Sequence, residues 1–130
     1  MTETRTFKTL LVEDSYIFRE LLKETLMSRF KSMEIFEALD GEGILQKLET
    51  LKPELIFMDI KLPGENGLEL TRKIKAQYPN ILIVILTSYD TPEYRKAAED
   101  AKANFFLVKG ATTKDGIVKM VESILSTASP

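Results

Sequence analysis

The stretch Leu55-Ile56-Phe57-Met58-Asp59-Ile60-Lys61-Leu62-Pro63-Gly64-Glu65-Asn66-Gly67 decides the reading of the fold. Its first four residues are apolar without interruption. A run of that length is too short for a helix and reads as a strand covered on both faces, the kind found in parallel sheets. The run stops on a carboxylate, and a Pro-Gly pair then turns the chain. The same pattern recurs outward from this point. Leu10-Leu11-Val12, Ile81 to Leu86 and Phe105-Phe106-Leu107-Val108 predict further buried strands. Met33 to Ala38 is interrupted by Glu34 and Glu37, which suits an edge strand.

Helical periodicity fills the gaps between these runs. Phe18, Leu21, Leu22, Thr25 and Leu26 share one face, and Ile44, Leu48 and Leu51 share another. Leu70, Thr71 and Ile74 make a third stripe, and Tyr94, Ala97, Ala98 and Ala101 a fourth. Ile117, Val118, Val121, Ile124 and Leu125 make the fifth and cleanest. Thr91-Pro92 reads as a helix cap followed by a first-turn proline, and Thr112-Thr113-Lys114-Asp115 resembles a capping box with Asp in place of Glu. Five strand-then-helix repeats predict an α/β fold, a (βα)5 doubly wound parallel five-stranded sheet with helices on both faces. One domain is expected over residues 1–130, with a core of about 7–126 and a small polar tail or linker start over 127–130.

Composition narrows the function. The chain has 130 residues, 44% of them hydrophobic and 29% charged, enough apolar surface for a core. Its formal net charge of −2 argues against direct nucleic-acid binding, which draws on clustered Lys and Arg. There is no Cys and no His, so thiolate and imidazole metal sites, Ser-His-Asp triads and a phosphohistidine acceptor are excluded. The longest apolar run, Ile81 to Leu86, falls far short of the ~20 residues that span a bilayer. Residues 1–8, with Glu3, Arg5 and Lys8, have no signal-peptide core. These features predict a cytoplasmic protein without membrane association.

In doubly wound sheets the ligand site lies beyond the carboxyl ends of the strands. The first run ends in Glu13-Asp14, the third in Asp59, the fourth in Thr87-Ser88 and the fifth in Lys109. If the strands order 2-1-3-4-5, these residues converge on one rim. Three crowded carboxylates resist ionisation unless compensated, and Mg²⁺ with one ammonium brings the cluster to about neutral. Such a set suits phosphoryl transfer: cations neutralise the moving group, a hydroxyl orients it, and a carboxylate serves as nucleophile. Taken singly, each residue has a plainer reading. Glu13-Asp14 would cap the following helix, Asp59 would be a turn residue, Thr87 a loop hydroxyl and Lys109 a surface charge. The chemical reading rests on their sharing one rim.

At these positions the sequence resembles the receiver domain of two-component response regulators, from Lys8 to about Leu125. The matching segments are Leu10-Leu11-Val12-Glu13-Asp14-Ser15, Ile56 to Gly67, Val84-Ile85-Leu86-Thr87-Ser88 and Phe105-Phe106-Leu107-Val108-Lys109. The resemblance implies a flavodoxin-like sheet of order 2-1-3-4-5. It also implies Asp59 as phosphoacceptor, with Mg²⁺ held by Glu13, Asp14, Asp59 and the backbone carbonyl of Lys61. Lys109 would pair with the phosphoryl oxygens. Thr87 would donate its hydroxyl to the phosphoryl group while Phe106 reorients. The implied donor is a sensor histidine kinase or a phosphotransfer protein, and the signal would leave through the fourth helix, fifth strand and fifth helix. Beyond its own phosphorylation and dephosphorylation no enzymatic activity is expected. A phosphorylation-dependent homodimer is a further implied partner state.

Two departures from the family pattern stand out. Gly110 follows Lys109 where most receivers have Pro, a variant similar to receivers joined to LuxR-type DNA-binding domains. The switch aromatic is Phe106 rather than Tyr. Lys61, Ser88 and Tyr89 are expected to modulate the site, Lys61 and Tyr89 by hindering the attacking water and lengthening the phosphoryl lifetime. The leading expectation is thus a receiver belonging to a longer transcriptional regulator, whose DNA-binding output domain lies outside this chain. The alternatives are a stand-alone regulator acting by protein binding, a partner-binding receiver relative that is not phosphorylated, and an aspartyl-phosphate phosphatase. The last usually has a second acid two residues after the nucleophile, where this chain has Lys61. A dinucleotide or flavin binder is weaker still, because no G-x-G-x-x-G loop follows the first strand.

Overall fold

A strand apolar on both faces has to be covered on both, and the chain does this by placing three of its helices on one side of one sheet and two on the other. The computed structural model describes residues 6–128. The elements in chain order are β1 (Phe7–Val12), α1 (Tyr16–Arg29), β2 (Met33–Ala38), α2 (Ile44–Leu51), β3 (Leu55–Asp59), β4 (Lys61–Leu62), β5 (Glu65–Asn66), α3 (Gly67–Gln77), β6 (Leu82–Thr87), α4 (Pro92–Asp100), β7 (Phe105–Val108) and α5 (Lys114–Ala128). The five long strands form one parallel sheet of order β2-β1-β3-β6-β7. Counted over the five apolar runs, that is the order 2-1-3-4-5. The edge position expected for Met33 to Ala38 is where β2 lies.

Alternate residues of each strand feed two cores, as the two-residue period requires. Leu10, Val12, Ile56, Met58, Ile83 and Ile85 pack with Ile44 and Leu48 of α2, Leu70 and Ile74 of α3, and Ala98 of α4. Phe7, Leu11, Leu55, Phe57, Val84 and Leu86 pack on the other face with Leu22 and Leu26 of α1 and Ile117, Val121 and Ile124 of α5. Truncating one such side chain to Ala typically costs about 2–5 kcal/mol, so both layers are needed for a domain of this size.

Three details differ from the sequence expectations. Residues 61–66 form a short antiparallel pair, Lys61↔Asn66 and Leu62↔Glu65, folded about Pro63-Gly64. Two-residue strands are too short to show a period. The cap of α5 is Thr113, whose hydroxyl accepts from the Gly116 amide at 3.0 Å, while the Thr112 hydroxyl donates to the Val108 carbonyl at 3.1 Å. The capping-box reading was therefore displaced by one residue. Of the tail expected over 127–130, residues 127 and 128 continue α5, and 129–130 lie outside the described residues, as do Glu3 and Arg5. Thr91 caps α4 as expected, accepting from the Tyr94 amide at 3.1 Å. No helix among the described residues is long and apolar enough to cross a membrane.

Candidate functional site

The carboxyl ends of β1, β3, β6 and β7 form one rim, because parallel pairing in register stops these strands at a common level. Val12 lies beside Met58, Asp59 beside Leu86, and Thr87 beside Val108. Glu13 and Asp14 leave β1 one step before α1, whose cap is Ser15; its hydroxyl accepts from the Phe18 amide at 3.4 Å. The cap is thus Ser15 itself, which frees the two acids from that duty. Glu13 is fully buried and turns back, its Oε2 accepting from the Ser15 amide at 2.9 Å. Asp14 is exposed beside it.

Carboxylate oxygens of Glu13, Asp14 and Asp59 lie within 4.8 Å of one another. The Lys109 ammonium enters this cluster, 2.6 Å from Glu13 Oε1 and 3.4 Å from Asp59 Oδ2. Lys109 is held there from both ends. Its amide donates to the Thr87 carbonyl at 2.8 Å, and its ammonium lies 5.0 Å from the centre of the Phe18 ring. Burial pushes the Asp59 carboxyl up to about 7; the neighbouring Glu13 charge pushes the same way, and Lys109 opposes both.

The hairpin after Asp59 positions the third strand's acid. Gly67 donates its amide to the Ile60 carbonyl at 2.7 Å, and a Cβ on Gly67 would lie 1.9 Å from the Asp59 carbonyl oxygen. Glycine is there because α3 starts against the backbone of the acidic residue itself. Asn66 caps that helix, its Oδ1 accepting from the Leu68 and Glu69 amides at 2.7 and 3.3 Å.

The remaining expected residues line the rim's flank. The Thr87 hydroxyl accepts from the Tyr89 amide at 3.0 Å and lies 3.4 Å from the Tyr89 carbonyl, so it is engaged within its own loop. Ser88 is exposed in that loop. The Lys61 ammonium sits 4.3 Å from the Tyr89 ring centre, bridging the loop after β3 and the loop after β6. Phe106 is half-buried, with the Arg95 guanidinium 4.7 Å from its ring centre and Arg95 paired to Asp90 at 2.6 Å. Gly110 takes φ +81, a left-handed value closed to Pro, whose ring fixes φ near −65°. The glycine after Lys109 therefore answers the shape of this turn.

Sequence reasoning missed Arg19, which is buried and donates to the Glu13 carbonyl at 2.8 Å. A signal was available: Arg19 falls three residues before Leu22 on the apolar side of α1, an unusual place for Arg without partners.

The donor set fits a hard divalent cation. All three acids offer oxygen, the preference of Mg²⁺. Buried Glu13 Oε1 has the Lys109 ion pair but no well-formed hydrogen bond, so it keeps acceptor capacity. Three carboxylates and one ammonium also leave the cluster two charges short of neutral, the charge of one such ion.

Residues 9–122 match the family described as response regulator receiver domain. Among curated relatives, a protein-glutamate methylesterase/protein-glutamine glutaminase of Paramagnetospirillum magneticum is 38% identical over 74% of this chain and 27% of its own length. The response regulator GacA of Pseudomonas syringae is 32% identical over 90% of this chain and 53% of its own. The chain thus spans about half or less of the length of these relatives. A solved LuxR-family two-component response regulator from Aurantimonas sp. superposes with a TM-score of 0.82 at 28% identity, covering 94% of this chain and 86% of its own.

Proposed function

The chain belongs to the response regulator receiver domain family of two-component systems, and from that premise we propose that it is switched by transfer of a phosphoryl group to Asp59. The observation that carries this reading is the convergence of the Glu13, Asp14 and Asp59 carboxylates with the Lys109 ammonium on one rim.

Glu13, Asp14, Asp59 and the Lys61 carbonyl would hold Mg²⁺, which supplies positive charge against the oxygens of the incoming group. An Asp59 carboxylate oxygen attacks phosphorus of a phosphohistidine. The new O–P bond forms as the P–N bond breaks, and the imidazole nitrogen leaves with the electron pair. Lys109 sits where its ammonium can follow the charge from carboxylate to phosphoryl oxygens. The Thr87 hydroxyl leaves the Tyr89 backbone for the phosphoryl group, and Phe106 turns inward as the loop moves. Phosphorylation in this reading adds contacts to one of two existing states and so shifts their populations. The donor is a sensor histidine kinase or phosphotransfer protein, and the chain catalyses only its own phosphorylation and dephosphorylation. Lys61 and Tyr89 would hinder the water that hydrolyses Asp59-phosphate, with Ser88 as a further modulating position; the contact between Lys61 and Tyr89 supports their acting together. The output is a DNA-binding domain of LuxR type. Gly110 and the likeness to a LuxR-family regulator support it.

Incubating the chain with acetyl phosphate, with and without Mg²⁺, and weighing it intact tests the acceptor. The expected result is a Mg²⁺-dependent gain of one phosphoryl unit that Asp59→Asn loses, with faster decay of the adduct in Lys61→Ala and Tyr89→Ala. A gain that persists in Asp59→Asn means the acceptor is another residue.

A further inference from the structure

Arg19 is a buried cation on the apolar side of α1, and at 8% exposure it needs partners to be tolerated there. Besides the Tyr16 ring, 5.6 Å from its guanidinium carbon, it has two hydrogen-bond acceptors on opposite sides. Nη1 donates to the Glu13 carbonyl at 2.8 Å, and Nε donates to Glu37 Oε1 on β2 at 2.9 Å. Glu37 is itself fixed by Lys23, 3.2 Å from its other oxygen. Burial alone would raise the Glu37 carboxyl, but hydrogen bonds from Lys23 and Arg19 outweigh it and hold the group below its ordinary value. The guanidinium is therefore anchored on the edge strand by a carboxylate that stays charged at neutral pH.

The bond to Glu13 matters because of where that carbonyl lies. It belongs to the rigid peptide plane that also contains the Asp14 amide. The other side of Glu13 is tied as well, its amide donating to the Ala38 carbonyl at 3.0 Å. With both peptide groups of Glu13 held, the turn from β1 into α1 has little freedom, and two of the three clustered acids project from it.

We propose that Arg19 is a positioning residue for the metal site: braced against Glu37, it fixes the Glu13–Asp14 peptide and so sets how both carboxylates meet Mg²⁺. This rests on the reading of Glu13, Asp14 and Asp59 as metal ligands. Arg suits the role because its planar fork serves two acceptors at once, whereas Lys offers one compact ammonium on a flexible stem.

The test is calorimetric titration of Mg²⁺ alone into the full chain, at a temperature where circular dichroism shows every variant folded. Arg19→Gln is expected to weaken Mg²⁺ binding about tenfold, the low end of what outer partners of metal ligands usually contribute. Arg19→Lys falls between the two, and Glu37→Gln, which alters no metal ligand, weakens binding about two- to fivefold. The double variant is no weaker than Arg19→Gln alone, because the second change removes a brace whose strut is already gone. A purely structural Arg19 would lower the melting temperature and leave the affinity of the folded protein within twofold of wild type, which overturns the proposal. Should Arg19→Gln fail to fold, Glu37→Gln and Arg19→Lys decide by the same criterion. If wild type takes up no Mg²⁺, or Asp59→Asn and Asp14→Asn bind as tightly as wild type, the metal-site reading itself is rejected. That result is distinct from a wild-type site indifferent to Arg19.

Discussion

Two glycines near the site separate two physical reasons for the same residue. At Gly67 the obstacle is space: a Cβ would meet the Asp59 carbonyl oxygen at 1.9 Å and the Ile60 Cα at 3.0 Å, both backbone atoms that cannot rotate away. At Gly110 there is no obstacle within 4 Å, but φ is +81. A left-handed value costs an ordinary residue about 1–2 kcal/mol. Gly110→Ala should therefore lose ~1 kcal/mol in urea unfolding, and Gly67→Ala about 3 kcal/mol or more, since α3 or the Asp59 strand end has to shift. Equal losses would mean that the contact at Gly67 relaxes without consequence. The sequence offered Gly67 as the close of a Pro-Gly turn, and the reason for it, an approach between residues eight apart, depends on tertiary structure. Glu13, Asp14, Asp59 and Lys109 were legible because each ends an apolar run. Arg19 showed only its place on the apolar side of α1; its partners were hidden, since a long charged side chain on a helix ordinarily carries its head to water and the carboxylate that holds it lies on β2.

At the scale of elements, the loop after β6 and the first turn of α4 link the site's flank to the sheet edge. Thr87 bonds within the loop to Tyr89, Tyr89 and Tyr94 have ring centres 6.2 Å apart, and Asp90 holds Arg95 over Phe106. If Phe106 turns inward on phosphorylation, it leaves the guanidinium behind. A cation–ring contact at an exposed site is worth ~0.5–1 kcal/mol, and the surface pair that aims it adds little. Arg95→Ala removes that restraint on the resting orientation. We expect its initial rate of phosphorylation by acetyl phosphate to rise about two- to fivefold, the rate equivalent of that energy. An unchanged or slower rate would show that the contact does not bias the switch. The strands and helices themselves were largely readable: every stripe named from periodicity faces one of the two cores, because covering a parallel sheet imposes that pattern. What periodicity could not supply was the β4–β5 pair and the residue capping α5. Two-residue strands have no period, and adjacent threonines offer equivalent hydroxyls whose roles depend on where the preceding turn ends.

For the whole molecule, the rim sets a tension between stability and function that can be read as a pH dependence. Asp59 is raised to about 7, chiefly by burial and then by Glu13, with Lys109 opposing. Asp14 and Glu13 are the acids facing it, and Lys109 is the cation. An unfolded chain releases the Asp59 proton near pH 4. Between that value and about 7 the folded chain therefore holds more protons than the unfolded one, and stability falls as pH rises. The contribution is complete below about pH 4 and gone above about pH 7. The lowered carboxyls, Glu37 and Asp90, act in the opposite sense and only at more acid pH, so they leave this window clear. Urea unfolding in a chelator should show stability decreasing by on the order of 1–3 kcal/mol from about pH 5 to about pH 7.5, and Asp59→Asn should abolish the decrease. Mg²⁺ should reverse the slope, because it binds the ionised cluster and stabilises the folded state by mass action. A wild-type profile that stays flat in chelator would mean that Lys109 neutralises the cluster unaided. If the slope is present but Mg²⁺ leaves it unchanged, Asp59 is buried and crowded without forming part of a metal site. A falling profile that Mg²⁺ inverts would show that the carboxylate charge whose burial and crowding destabilise the bare rim is the same charge that binds the ion.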